Sequence, residues 1–565
     1  MAGSVRKPRN DKGSARSQIA NRWSNVDYNK LSNDVMTISE NPQETDHEVI
    51  TIDSESETSI SDNGNDTDDG ISRPVIDARL HDKKYCFKLI HSETVYDKSD
   101  TYESMTSEQQ DYFITMKDIF YDPNLRQVVL FSYQFEMDFL LKCFHPDIEK
   151  VIIIGQPECI RPLNEDTSSA RLKELEKKIS YIPIKMAPYT SHHTKMILNF
   201  YQDSLRIFLP SNNFTEAEVS YPQQVCWCSP KFMFSTNPKW VNGYSKFGSI
   251  LKDYLSHYNQ YQSFFQKLIE KLEKYEFLYF DENNKMEDDI KFIYSVPAKG
   301  NYNCGFKKLI DSVKVTEEKY FYKKNGKEEI HYLFQTSSIG TTMVGNDSLL
   351  LGLMPDNSSM ERIHLNILYP TLKEICDSPA SVLSGGWFHF NYYSKSEPYN
   401  TLRAKKTFVK QDPLQVSKQR LSTPSHSKFY MKWTSKDTTM NNEGSIPEGG
   451  VDWCVYTSAN LSKAAWGLNG VKPKNYEFGV FFGCSVQVSS FIDLIYKNKN
   501  GSGTRLGTAT EQANIATRDK HADRIKANQI LIPFPRSYVQ YSPDDRPSDV
   551  KLLDRISNMA LAMNG

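Results

Sequence analysis

The sequence predicts an α/β protein of two similar α-β-α sandwich domains with the active site between them, preceded by a disordered tail. Three observations predict it. Strand-like apolar runs alternate with helical patterns along most of the chain, as they do where sheets are covered by helices. The second half repeats the scheme of the first. One short polar constellation also occurs twice, more than 200 residues apart, each time beside a strand.

Residues 1–75 are rich in Ser, Asn, Asp and Glu and hold too little apolar surface to fold. The basic start (Arg6, Lys7, Arg9, Lys12) has two readings, a nuclear import signal or a chance basic cluster, and a nuclear protein is the expectation. In the acidic stretch, Val49-Ile50-Thr51-Ile52-Asp53-Ser54-Glu55-Ser56-Glu57 resembles segments that bind the small ubiquitin-like modifier. Such a segment adds a strand to an exposed sheet edge while its acids meet basic residues beside the groove. The plainer reading is an aliphatic cluster in a polar tail.

The net charge of −2 hides an uneven distribution. Residues 1–80 hold 9 Lys+Arg against 15 Asp+Glu, which leaves 59 against 55 for the body. A mildly positive body suits a polyanionic partner. Nine cysteines without any C-x-x-C pair speak against a disulfide framework or a zinc finger and fit reduced thiols. No apolar stretch is long enough to span a bilayer, and none near Met1 resembles a signal peptide. The expectation is a soluble intracellular monomer with no membrane partner.

The first domain is expected over 76–295, with order beginning between Ile76 and Lys88. Its strands are Val128–Phe131, Val151–Ile154, Met196–Phe200 and Leu205–Leu209, the last two forming a hairpin. Its helices are Phe135–Phe144, Ser168–Lys178 and one long stretch, Gly248–Tyr275. The second domain is expected over 296–565, with strands at Ile363–Leu368, Val451–Tyr456 and Phe478–Phe482. Thr434–Gly450 and Asn498–Asp519 read as polar surface insertions.

The repeated constellation carries the chemistry. The first copy is His193-Thr194-Lys195, a strand, then Ser211-Asn212-Asn213 and, farther on, Gln224. The second is His426-Ser427-Lys428, a strand, then Ser458-Ala459-Asn460 and Glu477. Alternate side chains of extended backbone share a face, so each His addresses one pocket with its Lys. Two half-sites together supply two imidazoles, two ammoniums and two carboxamides. That set suits a phosphodiester attacked by one imidazole and protonated by the other, with no cofactor and no metal. A metal site at His192 and His193 is disfavoured, because Lys195 would repel a cation and no carboxylate or Cys stands at ligand spacing. A single H-x-K means little; the pair with matching Ser-x-Asn does not arise readily by chance.

These segments resemble the tyrosyl-DNA phosphodiesterase branch of the phospholipase D superfamily. Most of that superfamily has Asp five residues after the motif Lys. Phe200 and Trp433 stand there instead, a departure typical of this branch. The run Ser458–Gly467, Tyr476-Glu477-Phe478-Gly479, Ser337-Ser338 and Asp545-Arg546-Pro547 also match, so the likeness covers roughly residues 80–550. It implies a phospholipase D-like pseudo-duplication and a DNA repair enzyme. The implied reaction hydrolyses the bond between a DNA 3′ end, single- or double-stranded, and a tyrosine of a topoisomerase I-derived peptide, and leaves a 3′ phosphate. The resemblance makes His193 the nucleophile of a covalent phosphohistidine and His426 the acid and then the base; symmetry alone permits either. Lys195, Lys428, Asn213 and Asn460 would hold the non-bridging oxygens. Gln224 and Glu477 would bond the far nitrogens of the histidines, in a pairing the sequence leaves open. Tyr189, Ser337, Ser338, Ser462 and Lys463 are the expected DNA contacts. The alternatives are another phosphodiesterase of the superfamily, acting on 3′ ends or lipid, and a non-catalytic DNA-end scaffold.

Overall fold

The computed structural model describes residues 80, 82–91, 106–164, 168–235, 246–277, 290–297, 303–321, 328–340, 363–390, 402–414, 423–435, 444–468, 471–496 and 529–549, with 353, 400 and 553. The expected tail, with the segment Val49–Glu57 and the basic start, lies outside the described residues, as do 436–443 and 498–519 of the insertions.

Two large sheets dominate the described residues. The first contains β1 (Cys86–Ile90), β2 (Phe113–Ile114), β3 (Leu125–Phe131), β4 (Lys150–Gly155), β5 (Ile179–Pro183), β6 (Met196–Tyr201), β7 (Ser204–Pro210), β8 (Val225–Cys228) and β9 (Phe232–Met233). Their order is β2-β1-β8-β7-β6-β3-β4-β5, with β9 beside β7. The second contains β10 (Ile290–Ser295), β11 (Glu329–Gln335), β12 (Ile363–Leu368), β13 (Phe408–Gln411), β14 (Phe429–Ser435), β15 (Val451–Thr457), β16 (Glu477–Val486) and β17 (Tyr538–Gln540). Their order is β10-β16-β15-β14-β11-β12-β13-β17.

Written by position, β1-β8-β7-β6-β3-β4-β5 and β10-β16-β15-β14-β11-β12-β13 are the same path. The directions agree too. In each sheet the first five strands of that path pair antiparallel, and the last two join in parallel. The duplication inferred from the motifs is therefore a duplication of topology. β10 pairs with β16 along its whole length, so Ile290–Ser295, expected in the first domain, is a strand of the second sheet.

Most strands are buried on both faces, which explains their continuous apolar runs, for example VIIIG in β4 and IFLP in β7. The inner faces meet each other: Tyr85 packs on Phe482 at 5.2 Å between ring centroids and Phe87 on Tyr456 at 5.4 Å. Trp227, Phe429 and Trp433 belong to the same shared core. The outer face of each sheet has its own core. Helices α1 (Ala170–Glu176), α2 (Lys246–Ser256), α3 (Gln262–Leu272), α4 (Phe306–Phe321) and α5 (Leu372–Asp377) surround the sheets.

Ser168–Lys178 is trimmed to Ala170–Glu176, and two other expected helices depart further from their patterns. Phe135–Phe144 reduces to one α-turn at Met137–Leu140 and a 3-10 turn at Leu141–Cys143. Gly248–Tyr275 breaks into α2 and α3, with Tyr261 left-handed at φ 54° between them. The break lets Tyr258 turn inward, where its ring stacks on Tyr476 at 4.5 Å and its hydroxyl meets His192 Nε2 at 2.8 Å. No described helix is long and apolar enough to cross a membrane.

Candidate active site

Equivalent loops of the two units carry equivalent residues. His193 and Lys195 precede β6; His426 and Lys428 precede β14, its counterpart. Asn213 follows β7 and Asn460 follows β15. Gln224 stands just before β8, and Glu477 opens β16.

The loops cross-link as isolated bridges, His192 with Tyr476 and Gln223 with Ser425. The His193 amide donates to the Tyr476 carbonyl at 2.9 Å, and the Tyr476 amide to that of Ser191 at 3.0 Å. On the other side the His426 amide donates to Gln223 O at 2.9 Å, and the Gln223 amide to Pro424 O at 3.2 Å. Each bridge pulls the next residue beside the opposite imidazole. His193 Nδ1 meets Glu477 Oε2 at 2.9 Å, and His426 Nδ1 meets Gln224 Nε2 at 3.3 Å. The pairing that the sequence left open is thus crossed: each unit orients the other unit's histidine.

The serine of each Ser-x-Asn finds its use here. Ser458 Oγ donates to Glu477 Oε2 at 2.6 Å, and Ser211 Oγ to Gln224 Oε1 at 2.6 Å. Asn475 Nδ2 adds a bond to Glu477 Oε1 at 3.1 Å. Each Lys reaches back to its own His carbonyl, Lys195 Nζ at 3.2 Å and Lys428 Nζ at 2.6 Å. The carboxamides are held alike, Asn213 Oδ1 by Ser132 Oγ at 3.0 Å and Asn460 Oδ1 by Thr336 and Ser337 hydroxyls at 3.1 and 3.0 Å. With its oxygen so engaged, Asn460 has its amide N–H groups left as donors for a ligand.

One residue was missed by sequence reasoning. Glu218 is completely buried, and its Oε1 lies 2.9 Å from His426 Nδ1, a charge contact without good hydrogen-bond alignment. Its Oε2 accepts from Asn213 Nδ2 at 2.7 Å. In the sequence it sits in Thr215-Glu216-Ala217-Glu218, which looks like an exposed helix start; the only signal was the Thr215 N-cap that fixes that turn.

The electrostatics are those of two buried ammoniums and two imidazoles set among two buried carboxylates. Burial depresses Lys428 to about 7, and Lys195 adds to the fall; burial also lowers Lys195. Burial depresses both imidazoles below their usual range. Glu477 opposes the fall at His193, and the lysines deepen it at both. Burial would raise Glu477, but His193, Ser458 and Lys195 hold it below the usual carboxylate range. A carboxylate against Nδ1 fixes the His193 proton there and leaves Nε2 as a bare lone pair.

The expected DNA contacts divide. Tyr189 is 94 % exposed, on a left-handed residue with φ 60° that thrusts its ring away from the surface. Ser337 departs from its expected role: it is buried and its hydroxyl is spent on Asn460, so it positions that carboxamide. Ser338 lies half-buried in a two-residue strand, Ser338–Ile339, paired with His389–Phe390. Ser462 caps helix α6 (Lys463–Trp466) by accepting from the Ala465 amide, and Lys463 is partly buried in its first turn.

A model of the family described as tyrosyl-DNA phosphodiesterase matches residues 95–542. The chain belongs to the tyrosyl-DNA phosphodiesterase family. It is 33 % identical over 561 residues to tyrosyl-DNA phosphodiesterase 1 of Saccharomyces cerevisiae, covering 93 % of this chain and 94 % of that protein. A probable tyrosyl-DNA phosphodiesterase of Schizosaccharomyces pombe is 23 % identical over 446 residues, 65 % of this chain and 77 % of that one. The crystal structure of the yeast tyrosyl-DNA phosphodiesterase superposes with a TM-score of 0.64 at 32 % identity, covering 82 % of this chain and all of that one. The tyrosyl-DNA phosphodiesterase family thus accounts for the motifs, the fold and nearly the whole described chain.

Proposed function

We propose that this chain hydrolyses the phosphodiester between a DNA 3′ end and a tyrosine, the residue left by a trapped topoisomerase I, and releases a 3′ phosphate. The observation that carries this reading is the crossed pair of half-sites. Two imidazoles with different far-side partners meet two ammoniums and two carboxamides in one pocket.

His193 Nε2 attacks phosphorus. Its side chain is 17 % exposed against 6 % for His426, and Glu477 stabilises the positive charge the ring gains on phosphorylation. His426 donates its proton to the departing phenolate, then takes one from the water that attacks the phosphohistidine. In the free enzyme burial keeps the His426 ring neutral. A bound phosphodiester adds its negative charge to that of Glu218 and raises His426 and both lysines toward their charged forms. Substrate binding therefore loads the acid. Lys195, Lys428, Asn213 and Asn460 hold the non-bridging oxygens, donors of a kind that contribute about 3 kcal/mol each in other enzymes.

The test is purified protein with excess EDTA on an oligonucleotide ending in 3′-phosphotyrosine. Full cleavage to a 3′ phosphate is expected, because the ammoniums and carboxamides supply the charge stabilisation that metals give elsewhere. Loss of cleavage restored by magnesium overturns the reading. A nuclear, monomeric protein, with Val49–Glu57 recruiting it to adducts carrying small ubiquitin-like modifier, completes the proposal. Fluorescent tagging, sedimentation, and titration of the modifier into a peptide of residues 45–60 check those three parts in turn.

A further inference from the structure

The two half-sites match position for position, and one pair of positions breaks the match. Glu477, Tyr476 and Asn475 of the second unit correspond to Gln224, Gln223 and Pro222 of the first, and Ser191 before His193 corresponds to Pro424 before His426. On the His193 side the Ser191 amide donates to Asn475 Oδ1 at 3.1 Å. On the His426 side that rung cannot form, because Pro424 has no N–H and Pro222 has no side-chain acceptor. Asn475 thus gives the nucleophile's half-site a bond that the acid's half-site does without.

The Ser191 N–H decides which end of the carboxamide faces which way. Oδ1 is committed to that amide, so Nδ2 points to the other side and donates to Glu477 Oε1 at 3.1 Å. The backbone beneath is anchored, since the Lys474 and Asn475 amides both donate to Ala464 O, at 2.8 and 3.1 Å. Glu477 is buried, and its Oε2 is already shared by His193 Nδ1 and Ser458 Oγ. Burial disfavours the charged carboxylate, and donors on both oxygens restore it. The ionisable groups that face it are His193, Lys195 and Lys428, with the tyrosines Tyr254 and Tyr430. The lysines turn to the substrate oxygens during the reaction; Asn475 stays with the carboxylate.

We propose that Asn475 is a positioning residue for the nucleophile, its carboxamide holding Glu477 charged and aimed at His193 Nδ1 while the ring carries the positive charge of the phosphohistidine. This rests on the covalent reaction proposed above. In that step the bond from His193 Nε2 to phosphorus forms, the bond from phosphorus to the phenolic oxygen breaks, and the phenolate takes the His426 proton. Nδ1 keeps its own proton, so the phosphorylated ring is cationic and needs a fixed anion behind it. His193 bears that charge through a whole intermediate, whereas His426 holds its proton only between two transfers. The extra donor stands behind the ring that needs it longer.

The test compares Asn475→Asp and Asn475→Ala with wild type on an oligonucleotide ending in 3′-phosphotyrosine, from pH 5.5 to 8.5, with Tm recorded for each. Aspartate keeps the shape and the acceptor for Ser191, but it loses the donor and sets a second carboxylate beside Glu477. Near pH 8 it is expected to lower kcat roughly ten- to hundredfold, the scale of a hydrogen bond to a charged group, with KM within about twofold. Two adjoining carboxylates share a proton readily, so as pH falls the new carboxyl regains one and donates to Glu477 as the amide did. The ratio of Asn475→Asp to wild-type kcat should therefore rise roughly tenfold between pH 8 and pH 6, by the same scale. Asn475→Ala has no proton to regain, and its ratio should not rise. Wild-type kcat in both variants overturns the proposal. So does an Asn475→Asp loss that is the same at every pH and tracks a fall in Tm, which would mean that Asn475 only holds the loop. If the alanine variant fails to fold, the pH dependence of the aspartate variant decides alone. If wild-type enzyme leaves the oligonucleotide uncleaved, the proposed function falls, and this role with it.

Discussion

Two atoms of opposite demand face His426 Nδ1: the Gln224 amide donates, and the Glu218 carboxylate accepts. A neutral ring protonated on Nε2 answers the first, and a ring protonated on Nδ1 answers the second. An acid that must become a base needs both forms, so Glu218 belongs with the positioning residues. Its negative charge raises the His426 pKa, and Glu218→Gln therefore lowers it. The protonated form is then scarcer at neutral pH. We expect kcat to fall by on the order of 10² at pH 7.5, the scale of one general acid, and to recover as pH is lowered. A pH-independent loss would show that Glu218 merely packs. The two histidines should fail differently. His193→Ala removes the attacking atom and abolishes cleavage. His426→Asn still lets a phenol depart and strands the protein on DNA, visible as an adduct on a denaturing gel. An adduct with His193→Ala instead would reverse the two roles.

At the scale of elements, the question is what keeps the strand before β6 in register. His193 and Lys195 face the site, so His192 and Thr194 face inward, and both are fully buried. His192 Nδ1 contacts Ser132 O at 3.2 Å and its Nε2 contacts Tyr258, which bonds Tyr254, which bonds Thr194 Oγ1 at 2.8 Å. This closed network ties α2 and the loop after it to the nucleophile's strand. Tyr258→Phe keeps the stack on Tyr476 and removes one hydroxyl, leaving His192 Nε2 unpaired. A loss of about 1–3 kcal/mol in unfolding free energy is expected, measured by urea denaturation. No loss would mean that packing alone holds the strand.

The same elements show what the sequence could and could not disclose. The paired H-x-K and Ser-x-Asn sites were legible because side-chain type and spacing carry them. The strands were legible because both faces of β3, β4, β6 and β7 are buried and read as apolar runs. The crossed partners were not, since they depend on backbone bridges between loops more than 200 residues apart. The break before α3 was hidden because the helical period resumes after it. Glu218 was hidden because acids in a first helical turn are usually solvated caps.

At the scale of the molecule, folding encloses bases that prefer their neutral forms. His192 and His331 are each held at about 4, in both cases chiefly by burial, against about 6.5 when unfolded. For such a group stability is present above the unfolded pKa and is lost as pH falls toward the folded one. For His192 the slope is about 1.4 kcal/mol per pH unit between roughly 6 and 4. Lys428 behaves likewise across its own window, from about 10.5 unfolded down to about 7. The anion-free protein therefore bears a strain that an oxyanion relieves, and more so at lower pH, where binding need recruit fewer protons. Sulfate is dianionic throughout this range, so it isolates the protein's own titration. We expect millimolar sulfate, at constant ionic strength, to raise Tm more at pH 6 than at pH 9. Deleting residues 1–75 should leave that difference unchanged, and a Lys195→Ala/Lys428→Ala double variant should abolish it. Stabilisation independent of pH, or retained in the double variant, would mean that sulfate acts by general exclusion from the surface and that the lysine pair does not form an oxyanion site.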